Sequence, residues 1–336
     1  MTRPTISVIV PAYRASAVLP RVLAPLMAMK ARGEVLEVIV VDDVSPDDTA
    51  AVARSLGAEV LVMPRNGGPG GARNLAAATA CGDILWFVDS DVVAWDDGAG
   101  KIAAAMADPE VGAVFGSYDA EPDGSPWFSR YKNLMHRFYH QAAKRDASTF
   151  WAGCGAVRAD LFRRIGGFDV ETYRVPSIED IELGYRLRRE GARIAVDPTL
   201  LGKHLKVWTP KGAFHTDIFR RALPWARLMI AREGVTNDLN TGTMERVRAL
   251  IAGILILSVL AVPLVPAFWP APPLLAVVAL AANIRLFAFM RSNGGTLFAL
   301  GALAWHQVYY VYSAAAFVWC LFEYHILGRK NRLHVP

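Results

Sequence analysis

A five-residue apolar run, Ile84–Val88, stands between Gly82 and the triplet Asp89-Ser90-Asp91. A run so short, apolar at every position and bounded by turn residues, reads as a strand covered on both faces by helices. Ligands of open α/β sheets collect at the carboxyl ends of such strands. Two carboxylates one residue apart at that end repel each other unless a cation or a donor lies between them. A hard divalent cation that keeps several waters and holds a diphosphate suits the pair. The plainer alternative is that Asp89 or Asp91 caps the next helix.

The surrounding pattern supports a layered α/β fold. Short apolar runs at 6–10, 35–41, 59–63, 84–88 and 113–116 alternate with helical stretches. That alternation predicts a mostly parallel sheet flanked by helices with right-handed crossovers. Ser45-Pro46-Asp47-Asp48 has the form of a helix start, with a capping Ser, Pro at the first helical position and acids in the first turn. Further on, 128–144 reads as a long helix, 150–157 as a strand and 178–189 as a helix whose start carries Glu179, Asp180 and Glu182.

Beyond residue 209 the composition changes. Phe214, Ile218, Ala222, Trp225 and Met229 share one helical face, while Pro224 is expected to split the segment into two short helices lying along a membrane surface. Between Lys203 and Arg248 there are nine Lys or Arg against four Asp or Glu, an excess equal to the +5 of the whole chain. A basic stretch just before an apolar one points to an anionic membrane surface on the cytoplasmic side. Residues 247–269 are long and apolar enough to span a bilayer, 272–290 marginally so, and 296–327 exceed one untilted span. The expected division is therefore a globular α/β domain over 1–209, interfacial helices over 210–246 and a membrane region of two to four helices over 247–336. Three widely spaced cysteines carry no metal-ligand spacing and suggest a reducing compartment. With no secretory signal at the start, the sheet domain is expected to face the cytoplasm from the inner membrane.

Four motifs fall in order at the predicted strand ends: Val8-Ile9-Val10-Pro11-Ala12-Tyr13, Val41-Asp42-Asp43, the glycine-rich Gly67–Gly71 leading to Ala72-Arg73-Asn74, and Asp89-Ser90-Asp91. Together, over roughly residues 5 to 210, they resemble the family 2 glycosyltransferases, which have the A-type nucleotide-sugar-binding fold. The resemblance implies that Pro11, Ala12 and Tyr13 flank the donor base, that Asp42 accepts from base or ribose, and that Arg73 reaches base or diphosphate with its planar fork. It implies Asp89 near the ribose or a metal-bound water, and Asp91 on a Mg2+ or Mn2+ ion that neutralises the leaving diphosphate. His204 takes the place of a metal- or diphosphate-binding His, with Lys206 near the diphosphate and Trp208 closing the site. Ser177-Ile178-Glu179-Asp180 resembles the family's acidic acceptor motif, with Asp180 as general base beside Glu179. Trp151-Ala152-Gly153-Cys154 resembles the small-residue strand next to the donor sugar.

The processive synthases of this family carry a Gln-x-x-Arg-Trp motif that is not present here. Transfer of a single sugar to a hydroxyl of a lipid or lipid-linked saccharide is the expected activity. Transfer to a polyprenyl phosphate is the alternative within the class, and a non-catalytic nucleotide-binding scaffold the alternative outside it. The expected partners are a nucleotide-sugar, uridine favoured, a membrane-proximal acceptor and the membrane, with no nucleic acid; a homo-oligomer is compatible.

Overall fold

Alternate residues of the first strands point to opposite sides and all are covered. In β1 (Ile6–Ala12) Val8 and Val10 join one apolar cluster while Ile9 joins another. The same division separates Trp86 and Val88 from Leu85 and Phe87 in β4 (Ile84–Val88). Period-two burial on both faces is what a central sheet between helical layers requires. The computed structural model describes residues 4–123, 126–234, 239–330 and 333. The chain divides into two units, Met1–Val207 and Trp208–Leu333.

In the first unit β1 is followed by α1 (Leu19–Ala31), β2 (Glu37–Asp42), α2 (Thr49–Ser55), β3 (Glu59–Val62), α3 (Gly68–Thr79) and β4. Then come β5 (Val92–Ala94), α4 (Gly98–Ala105), β6 (Val111–Tyr118), α5 (Trp127–Ala142), β7 (Asp146–Ala147), β8 (Cys154–Arg158), α6 (Ala159–Arg164), α7 (Glu179–Arg189) and β9 (Arg193–His204). The strand order is β3-β2-β1-β4-β8-β6-β9-β5, with β7 on β9. Strands β3, β2, β1 and β4 are parallel, as the βα alternation predicts. The second half departs from a mostly parallel sheet. Strand β8 enters antiparallel between β4 and β6, and β5 and β7 lie antiparallel on β9. The sheet is therefore mixed.

The helix predicted to start at Ser45 begins at Thr49 instead. The intervening acid is used to tie two loops together. Asp47 accepts from Ser16 Oγ at 2.7 Å and from Thr49 Oγ1 at 2.5 Å. Those donors, Thr49 first, pull its carboxyl down to about 2.

Helix α7 packs tightly on the segment before β8. A Cβ added to Gly184 would lie 2.4 Å from Phe150 N and 2.6 Å from Thr149 C. Backbone cannot yield there as a flexible side chain could, so Gly184→Ala is expected to push α7 outward and cost about 1–3 kcal/mol. Chemical denaturation measures this; an unchanged midpoint would contradict the close approach.

In the second unit, residues 210–233 form one helical run rather than two short helices. It comprises α8 (Pro210–His215), a π-helical stretch Thr216–Ala222, α9 (Leu223–Leu228) and a second π stretch Met229–Glu233. Pro224 does not break it. Leu223 N–H reaches back five residues to Ile218 O, and a widened turn accommodates the proline ring. Trp225 and Met229 of the apolar stripe are buried, whereas Phe214 is exposed.

Next come α10 (Thr243–Ala261), α11 (Ala271–Ala282) and α12 (Ile284–His325), the last kinked at Gly295, which has φ +82°. The expected span at 247–269 is interrupted, because α10 ends at Ala261 and a short 3-10 turn, Pro266–Phe268, follows. Among the described residues no single helix is long and apolar enough to cross a membrane. One bent pair, Pro266–Ala282 with Ile284–His325 at 79°, meets the criterion of length and composition together.

Candidate active site

Strands β2, β1 and β4 are neighbours, so their carboxyl ends bring Asp42, Ala12 and Asp89 to one edge of the sheet. Pro11 and Ala12 are buried at the end of β1, and Tyr13 beyond them is 47% exposed, with the Arg14 guanidinium 5.3 Å from its ring centre. An open aromatic face at this edge is suited to stacking on a base. Asp42 is nearly buried and its Oδ1 accepts from Ser45 N–H at 3.2 Å.

Its neighbour Asp43, to which the motif assigns no role, anchors the glycine-rich segment. Asp43 Oδ1 accepts from Gly67 N–H at 2.7 Å and Oδ2 from Gly68 N–H at 2.9 Å. Burial raises the Asp43 carboxyl and those two donors pull it back, leaving it above the ordinary range. Gly68 has φ +73°, a conformation glycine adopts without penalty. The available signal was the doubled acid of Asp42-Asp43 preceding a Gly-Gly pair at a helix start.

Arg73 behaves differently from the expected donor-binding fork. It is only 4% exposed; its Nη2 lies 2.5 Å from Asp89 Oδ1 and its Nη1 3.5 Å from Glu179 Oε1. Its guanidinium also sits 5.3 Å from the Phe168 ring centre. Arg73 thus joins the end of β4 to the start of α7 from within, and does not project as an open fork. Glu179 is correspondingly committed, since its Oε2 accepts from Ser177 N–H at 2.8 Å. Removing one partner of a buried ionic group strands the others. Arg73→Met is therefore expected to lose about 3–5 kcal/mol of stability by denaturant titration; a loss under about 1 kcal/mol would contradict the link.

Asp180 is brought to the same cluster. Its Oδ2 accepts from Ala152 N–H at 3.1 Å and its Oδ1 from Ile181 N–H at 2.9 Å. Burial first, and then the charge of Glu179, push its carboxyl up to about 7, against the pull of Ala152 N–H and Arg73. A carboxylate poised near neutrality can take a proton from a hydroxyl far better than an ordinary one.

The second cluster is made by strand pairing. Val92 of β5 pairs with His204 of β9, and Leu205 N–H donates to Asp91 O at 2.8 Å. His204 Nε2 thereby faces Asp91 Oδ2 at 3.6 Å. An imidazole nitrogen and a carboxylate oxygen facing one another are a donor set for a divalent cation completed by water and substrate phosphate. Asp89 does not join them in a three-ligand group. Its Oδ1 is held by Arg73, and among the described residues no cluster of three or more His, Cys, Asp or Glu could hold a metal.

Two further site candidates are buried. Cys154 is wholly buried in β8 within the cluster that contains Trp86, and burial pushes its thiol up to about 12, as suits a small packing residue in the strand beside Val88. Trp208 begins the second unit, where it is buried with the Arg221 guanidinium 6.0 Å from its ring centre.

A mixed sheet flanked by helices, with acids at the carboxyl ends of adjacent strands and an acidic helix start beside them, is the architecture that the resemblance to the A-type glycosyltransferases implies. The model described as Glycosyl transferase family 2 matches residues 7–166. An N-acetylglucosaminyltransferase of Rhizobium leguminosarum bv. trifolii is 33% identical over 135 residues, covering 38% of this chain and 74% of that protein. The chain belongs to glycosyltransferase family 2. A pre-mycofactocin glycosyltransferase of Mycobacterium tuberculosis (strain ATCC 25618 / H37Rv) is 31% identical over 198 residues, or 54% of this chain. The chain spans only 41% of that relative's length. Among solved structures, a Pyrobaculum calidifontis mannosyltransferase in complex with GDP-Man and Mn2+ shares the fold, with a TM-score of 0.58 and 21% identity over 95% of this chain and 88% of that one.

Proposed function

We propose that the protein is a membrane-associated, metal-dependent inverting glycosyltransferase. It moves one sugar from a nucleotide-diphosphate sugar to a hydroxyl of a lipid or lipid-linked saccharide, on the cytoplasmic side of the inner membrane. The observation that carries this reading is the Asp180 carboxylate at the start of α7, held by Ala152 and Ile181 N–H groups beside the Arg73–Glu179–Asp89 cluster. An alcohol acceptor needs such a base, whereas an anionic phosphate acceptor does not.

In this mechanism Tyr13 stacks on the base and Asp42 holds base or ribose. Asp180 accepts the acceptor's proton while that oxygen attacks the anomeric carbon opposite the departing diphosphate, which gives inversion. Arg73 and Glu179 fix the cluster around Asp180. Asp91 and His204 would hold a Mg2+ or Mn2+ ion, whose chemistry is to offset the charge growing on the departing diphosphate. The Mn2+ and GDP-Man of the Pyrobaculum mannosyltransferase support a divalent ion and a nucleotide-sugar donor.

Membrane association is supported by the exposed apolar side chains of the second unit, among them Leu250, Leu257, Leu264, Leu274 and Leu297, and by the basic segment before α10. Soluble proteins seldom leave so many large aliphatic side chains open. The test is transfer in mixed micelles to lipid-linked and to water-soluble saccharides. Preferential labelling of the lipid-linked hydroxyl acceptor is expected. Labelling of a polyprenyl phosphate that persists in Asp180→Asn would instead favour the phosphate-acceptor alternative.

A further inference from the structure

His204 carries more than its own side chain can settle. A neutral imidazole has one N–H and one lone pair, and only the lone pair can bind a cation. Which nitrogen bears the proton is decided by the hydrogen bond at the other. In this fold that bond comes from Asn133, far away in sequence on α5.

The Asn133 amide has its orientation fixed. Its Nδ2 donates to the backbone carbonyl of Lys206 at 3.1 Å, which turns its Oδ1 toward His204 Nδ1 at 2.6 Å. Turning the amide over would set Oδ1 against the Lys206 carbonyl and Nδ2 against the ring. With Oδ1 as an acceptor, the hydrogen must sit on His204 Nδ1. The lone pair then lies on Nε2, the nitrogen that faces Asp91 Oδ2 at 3.6 Å.

The ring plane is held as well. Tyr118 stacks on His204 with centroids 4.2 Å apart and planes within 7° of parallel. Asn133 and His204 are both almost completely buried, so water does not compete freely for this bond.

We propose that Asn133 is a positioning residue. It fixes the His204 tautomer and ring so that Nε2 presents its lone pair, beside Asp91, to a divalent cation. The inference rests on the metal-binding role given to Asp91 and His204 above. A lone pair facing a carboxylate oxygen is repulsive by itself, and a shared cation makes the pair attractive. Sequence alone offered no sign of the residue, because Asn133 lies on a helix whose pattern is that of core packing and 71 positions from its partner.

The test is direct Mn2+ titration of the purified full chain, read by the electron paramagnetic resonance signal of free Mn2+, with no donor present. The variants are His204→Ala, Asn133→Leu, Asn133→Asp and the double variant His204→Ala/Asn133→Leu. Asn133→Leu is expected to weaken Mn2+ binding by about 10–100-fold. Asn133→Asp keeps an acceptor facing Nδ1 but gives up the donor to the Lys206 carbonyl, and is expected to lose clearly less Mn2+ affinity than Asn133→Leu. The double variant should bind no more weakly than His204→Ala alone, because Asn133 acts through that ring.

If Asn133→Leu binds as wild type while His204→Ala is weakened, the positioning role is wrong and the metal role survives. Unchanged binding in His204→Ala would remove the metal role and this inference with it. Further weakening in the double variant would reassign Asn133 to general packing. Should Asn133→Leu fail to fold, Asn133→Asp decides: a loss of Mn2+ affinity as large as that of His204→Ala would overturn the proposal.

Discussion

Asp180→Asn lowers the turnover number for sugar transfer by about 10²–10⁴-fold while the donor dissociation constant changes little. The expectation follows from what the residue touches. Its carboxylate lies at the start of α7, held by Ala152 and Ile181 N–H groups, and it is raised by burial and by Glu179 to about 7. In the wild type, transfer rises with pH as Asp180 loses its proton and levels off above about 7. In Asp180→Asn that rise disappears.

Stability should move the other way. A carboxyl raised above its unfolded value of 3.8 contributes stability below that value, and the contribution is lost as pH climbs through about 7. Between pH 5 and pH 8 the difference in melting temperature between the variant and wild type should therefore shift in the variant's favour. A variant that keeps wild-type turnover and pH profile would show that Asp180 is only a helix-start acid.

The second large effect is expected at Asp91. A divalent ion between a carboxylate and a departing diphosphate supplies several kcal/mol of transition-state stabilisation, or about 10³-fold or more in kcat/KM. Asp91→Asn removes the charged oxygen facing His204 Nε2 while keeping the size of the side chain and the Leu205 N–H bond to its backbone carbonyl. Activity should fall by that factor at donor concentrations well below KM, and the Mn2+ requirement should shift to higher concentration. The same loss without any change in Mn2+ dependence would assign Asp91 to donor contact instead.

Much of this could be read from local pattern. The strands β1, β2, β3 and β4 follow from short apolar runs, and their parallel pairing follows from the helices between them. Asp89 and Asp91 stood out as two carboxylates one residue apart at a strand end, and Glu179 and Asp180 through the resemblance of Ser177-Ile178-Glu179-Asp180 to an acidic acceptor motif.

What the sequence hid depends on pairing between distant segments. Nothing local says that β8 will insert antiparallel between β4 and β6, a choice made by tertiary packing. The family resemblance directs Arg73 to base or diphosphate; here Asp89 and Glu179, from two other elements, close over it. Asn133 was invisible for the same reason, its role being set by the ring it meets on β9. Pro224 was expected to break a helix, and the wider π turn preceding it absorbed the ring.

The most direct measurement is nucleoside diphosphate release by the purified chain across a panel of nucleotide-sugars, with Mn2+, Mg2+ or chelator. The account predicts release from one donor that depends on the metal, is abolished by chelator and is largely lost in Asp91→Asn. Folded protein that neither binds nor turns over any donor, or that turns one over equally well in chelator and in Asp91→Asn, would contradict it.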